Sequence, residues 1–104
     1  MYKPNGLDRI SLQIQLENWK LIADVNQELL DENLFAKAEL PEKLALAQSY
    51  INESHQWEKL GDQPKSHDAL TSAGLIIVEV GAVIKLVLNQ AISSDNGSLQ
   101  LDQS

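Results

Sequence analysis

The chain has no cysteine among its 104 residues, which excludes disulfides, thiolate nucleophiles and zinc–thiolate centres and is compatible with a reducing compartment. Basic residues are scarce. Eight Lys and Arg against fifteen Asp and Glu give a net charge of −7 and a pI near 4.6. The cations are scattered, whereas neutralising phosphates requires them clustered, so duplex or single-stranded nucleic acid is not an expected partner. Also missing are the Gly-rich P-loop, the dinucleotide fingerprint and the Gly-flanked elbow of a nucleophilic serine, although Ser49, Ser54 and Ser72 are present. The N-terminal Met1-Tyr2-Lys3-Pro4-Asn5-Gly6 lacks the basic and apolar regions of a secretory signal, so a cytoplasmic protein is expected. The longest apolar run, Ala73 to Leu88, is shorter than the ~20 residues of a membrane span and carries Glu79 and Lys85. It reads as a core helix, with no membrane partner.

The composition that remains, 43% hydrophobic, suits one compact domain. Pro4-Asn5-Gly6 marks residues 1–6 as a flexible arm, and the polar Ser93 to Ser104 segment reads as a disordered tail. Between them, residues 7–92 form one helical domain. Leu7, Ile10, Ile14, Leu21, Val25 and Leu29 recur at helical spacing, predicting a helix from Leu7 to about Leu34 with Asp8 or Ser11 as cap. A competing signal is the period-two alternation of Ile10, Leu12, Ile14 and Leu16, as in a half-buried strand. Helix is favoured because Glu17 to Asp31 continues in strong helix formers without a breaker.

After a connection at 34–40, Pro41 suits the first position of a second helix, which ends at Gly61. Its periodicity places Glu53 on the side of Tyr50 and Trp57. Ser66 or Asp68 caps a third helix reaching Ile92, apolar nearly all round between 75 and 88 and so requiring cover from the first two helices and from another copy of the chain. A buried strand over Leu75 to Val80 is the alternative. The fold class is therefore all-α, a bundle of three main helices completed by dimerisation. His55 and His67 lack an acid at ligand spacing and read as surface residues, and Trp19 and Trp57 as core or subunit-contact anchors.

Glu79 is the residue that the pattern singles out for chemistry. A carboxylate under apolar cover is protonated, paired with a base or bound to a metal, because burying it ionised and alone costs several kcal/mol or more.

The segment Lys43-Leu44-Ala45-Leu46-Ala47-Gln48-Ser49-Tyr50-Ile51-Asn52-Glu53, with Glu79-Val80-Gly81-Ala82 later, resembles the metal-binding helices of the MazG-like all-α nucleoside triphosphate pyrophosphohydrolases. That family holds magnesium with Glu-Glu-x-x-Glu on one helix and Glu-x-x-Asp on another. Position by position, Ser49 and Tyr50 stand in place of the paired glutamates, Glu53 matches the third acid, Glu79 the fourth, and Ala82 replaces the aspartate. The resemblance implies a homo-oligomer that binds a nucleoside triphosphate with Mg²⁺ through Glu53 and Glu79, its hydrolysis to monophosphate and pyrophosphate weakened or lost. Asp62, Asp68 and Glu58 are neighbouring acids that supplement the pair in this reading. The alternative is a non-catalytic helical module for self-association or for holding a protein partner.

Overall fold

A computed structural model describes the backbone of residues 8–103 and the side chains of residues 8–93. The arm assigned to residues 1–6 lies outside the described residues. Four helices follow one another: α1 (Arg9–Val25), α2 (Gln27–Glu32), α3 (Leu34–Lys59) and α4 (Gln63–Gln103). There is no strand among the described residues, so both strand readings give way to helix. The backbone of α4 continues through residues 93–103, which composition alone assigns to a tail.

Each boundary has a local cause. Asp8 caps α1 by accepting from the Ser11 amide at 3.1 Å. The long first helix breaks at Asn26, whose backbone (φ −109°, ψ 27°) leaves the helical region and whose side chain bonds back to the Ile22 carbonyl at 2.9 Å. Asn33 then caps α3, accepting from the Ala36 amide at 2.9 Å. The second main helix thus starts seven residues before Pro41, and this proline lies inside it. A proline in a helix interior costs about 3 kcal/mol; burial of Ala36 and Leu40 in the turn before it offsets that cost. At the other end Gly61 takes φ +80°, its amide bonding to Glu58 O at 3.0 Å and that of Asp62 to Trp57 O at 2.9 Å. This Schellman pair stops α3 where the glycine predicts. Asp62, rather than Ser66 or Asp68, starts α4 by accepting from the Lys65 amide at 3.1 Å.

α3 and α4 form an antiparallel hairpin, the most extensive contact in the molecule, and α1 lies in the groove between them. Leu12, Leu16, Ala47, Ile51, Ala73 and Ile77 make the core nearer the turn. Ala23, Leu30, Ala36, Leu40, Val80, Val83, Ile84 and Val87 make the core further from it, with Trp19, Leu44 and Ile76 packed against both. Two buried hydroxyls pin the turn: Ser66 Oγ donates to Ser54 O at 2.9 Å and Ser54 Oγ to Ile51 O at 2.6 Å. Across α1 and α3 the Gln13 and Gln48 amides exchange hydrogen bonds of 2.9 and 2.8 Å, fixing the register of the two helices.

The molecule measures 64 × 29 × 17 Å. Since one helix with its side chains is ~10–12 Å across, 17 Å is too thin for a layer of helices on each side of α4. Every helix therefore keeps an outward face.

Candidate functional site

That thinness decides the position of Glu79. The apolar run from Ala73 to Leu88 is covered on one side only, with Ile77, Val80, Ile84 and Val87 buried and Leu75, Val78, Ala82 and Leu86 facing out. Glu79 sits at the border between these sides. Its side chain is 56% exposed and its Oε1 lies 3.2 Å from Lys43 Nζ on α3. The expectation of a carboxylate beneath apolar cover is thus corrected: an apolar sequence on both sides of a residue does not bury it when the fold covers half of the helix. Lys43 is shared with Glu39 at 3.6 Å. Its pKa is raised, foremost by the hydrogen bond to Glu79; desolvation opposes this, and the charges of Glu79 and Glu39 add to the rise.

Glu53 lies elsewhere. It is exposed on α3 and accepts from the Trp57 indole N–H at 3.4 Å, on the aromatic side that the helical period indicates. Tyr50, Glu53, Trp57, Lys65, Asp68 and Ser72 border an open groove of about 250 Å³ there, with the Lys65 ammonium 4.4 Å from the Trp57 ring centre. In the antiparallel hairpin Lys43 faces Glu79. Glu53 is ten residues further along α3 than Lys43, ~15 Å at the helical rise. The two carboxylates face different partners and do not converge.

Two of the neighbouring acids have partners of their own. Glu58 pairs with Arg9, Asp62 caps α4 and stands 3.8 Å from Lys65, and His55 is 3.9 Å from Glu58. Ser49 and Ala82 are exposed and Tyr50 packs against the core. Among the described residues no three His, Asp or Glu side chains come together around one point. Glu53 and Glu79, held by different partners, do not bring their oxygens to one point within a single copy.

What the fold does assemble is apolar surface. Leu75, Val78 and Leu86 on α4 are between 52 and 70% exposed. On α1 the stripe found in the sequence is real but points outward: Ile10, Ile14, Leu21 and Val25 are 55 to 75% exposed, while Leu12, Leu16 and Ala23 on the opposite side are buried. The strand-like alternation had this meaning. Two residues along a helix turn ~200°, so apolar residues at 10, 12, 14 and 16 put apolar side chains on both faces of one helix.

Searches of protein-family models, curated proteins and solved structures return no match to this chain.

Proposed function

We propose that this chain is a non-catalytic helical association module that pairs with a second copy of itself through the outer face of α4. The observation that carries this reading is the distribution of charge around that face. From Ala69 to Ser94 the ionisable residues are Glu79 and Lys85 alone, so this stretch is neutral in a chain of net charge −7. Glu79 is held by Lys43, and Lys85 lies 5.8 Å from the centre of the Trp19 ring. Two copies can therefore meet here without the like-charge repulsion that other surfaces impose. Ala82, small and exposed in the middle of the face, lets two helix axes approach closely.

The energetics fit a modest dimer. Complete burial of a Leu, Ile or Val side chain is worth about 1.5–3 kcal/mol, and association costs about 4–15 kcal/mol. The exposed parts of Leu75, Val78 and Leu86 from both copies give a gain of the same order as that cost, so the pairing expected is weak and concentration-dependent. Such pairing also accounts for the apolarity of α4. By length and composition Gln63–Ser93 passes the test for a membrane-crossing helix, as the core helix of a soluble protein does, and nearly half of its most apolar stretch is buried against its own chain.

Sedimentation velocity without detergent, over about 1–200 μM, tests the proposal. A monomer–dimer equilibrium is expected, displaced to monomer by Val78→Glu or Leu86→Glu with helical content unchanged. A monomer throughout, or a dimer indifferent to both variants, removes the reading. Release of pyrophosphate from a nucleoside triphosphate with Mg²⁺, abolished by Glu53→Gln, overturns its non-catalytic part and supports the MazG-like alternative.

A further inference from the structure

The outer face of α1 is distinct from that of α4 and has a different electrostatic character. Ile10, Ile14, Leu21 and Val25 form a stripe opposite the core. At its C-terminal end Val25 and Leu29 border a shallow groove together with Asp24 and Glu28. The two cations of α1 are already used, Arg9 by Glu58 and Lys20 by Glu17 at 3.6 Å. Asp24 and Glu28 have no ion pair among the described residues. The face is thus an apolar stripe bordered by surplus negative charge.

We infer that this face docks a basic amphipathic helix of another protein. Three physical points converge on that occupant. The stripe is fifteen or so residues long, ~22 Å, and straight, which is the footprint of about four turns of a partner helix. The unpaired Asp24 and Glu28 call for Lys or Arg bordering the partner's apolar side chains. A second copy packed parallel would bring the same unpaired acids together, and one packed antiparallel would set them beside Arg9, which Glu58 already holds; an anionic lipid surface would meet the same repulsion, so neither complements the face.

A fluorescent model peptide of about 18 residues, Leu on one helical face and Lys on the other, serves as the probe for the full chain, with a Leu/Glu peptide of the same pattern as control. The Leu/Lys peptide is expected to raise fluorescence anisotropy saturably and the Leu/Glu peptide not to. Leu21→Asp, an exposed position, is expected to weaken binding about tenfold with an unchanged circular dichroism spectrum. This variant adds negative charge and so strengthens unspecific attraction to a cationic peptide; a loss therefore locates the apolar seat. Asp24→Asn with Glu28→Gln is expected to weaken binding several-fold and to flatten its salt dependence. Binding that is unchanged or tighter in Leu21→Asp overturns the inference. So does a Leu21→Asp variant that dissociates the dimer, which assigns this face to a second copy, or wild-type binding to phosphatidylserine vesicles that Leu21→Asp abolishes, which assigns it to lipid. Val78→Glu, which tests the α4 dimer, is expected to leave peptide binding intact, so the two proposals fail separately.

Discussion

The indole of Trp19 lies so close to Gly81 that a Cβ on the glycine would stand 2.7 Å from Cζ2 and 2.9 Å from Cε2. Real Cβ atoms do not approach that near, so Gly81 is the recess into which α1 docks on α4. The two helices run parallel here, with Leu12 touching Gly74 at 3.9 Å from an added Cβ one heptad earlier. This repeated Trp-or-Leu over Gly contact sets the register that in turn leaves Ile10, Ile14, Leu21 and Val25 facing away from the bundle.

Gly81→Ala should destabilise the fold by about 1–3 kcal/mol, because the methyl group has to displace a packed ring. Gly74→Ala meets only ordinary contact and should be neutral or stabilising by up to about 1 kcal/mol, the helix-propensity gain. Chemical denaturation of the two variants checks both signs. Equal effects would show that the Trp19 contact does not govern the packing of α1.

Removing the Ser66 hydroxyl leaves the Ser54 carbonyl without that donor at a buried position. Ser66→Ala is expected to cost about 1 kcal/mol. Ser66→Leu should cost more, since the side chain is enclosed and the extra volume has to separate α3 from α4. Thermal melts of the three proteins order these effects.

Gln13 and Gln48 should be coupled. Either single change to Leu already removes both bonds between the helices, leaving Gln13 with Glu17 or Gln48 with Asn52 and Lys20 as partners, so the double change is expected to cost little more than either single one. A double-mutant cycle with a coupling of about 0.5–1.5 kcal/mol is the predicted result. Additive losses would show that the pair is incidental.

Lys43 supplies a pH signature. Its folded pKa is raised above the ordinary lysine value of 10.5, so the stability it draws from Glu79 and Glu39 is fully present below that value and is lost as pH rises through the folded pKa. The difference in denaturation midpoint between the native chain and Glu79→Gln should therefore be small and constant across neutral pH and disappear in strong alkali. A difference that persists unchanged into strong alkali would show that Lys43 is not the partner that matters.

If α4 pairs with a second copy, the melting temperature rises with protein concentration, because only the folded chain presents the face. Val78→Glu should abolish that dependence while leaving the monomer's stability within about 0.5 kcal/mol, as befits an exposed site. A concentration-independent melt in the native chain contradicts the dimer.

Much of the architecture was legible in the sequence. Asp8 as a cap, Gly61 as a stop and the long apolar period of α4 are local signals, acting through hydrogen bonds and backbone sterics within a few residues. Pro41 misled because its preference for a first turn is also local, and tertiary burial of Ala36 and Leu40 outweighed it. Glu53 beside Trp57 followed from the helical repeat, since residues four apart meet on one face.

The amino-acid order therefore determined that this chain is helical, that one helix opens at Asp8 and another closes at Gly61, and that α1 is apolar on two opposite sides. Which of those sides became core, and whether Glu79 met lysine and solvent or a closed interior, was settled by the number of layers in the assembled bundle. Periodicity records the angle of a side chain around its own helix axis; it contains no record of what stands at that angle. Only the packing of α1 onto Gly81 and of Lys43 against Glu79 decides that, and it turns half of the apolar surface outward.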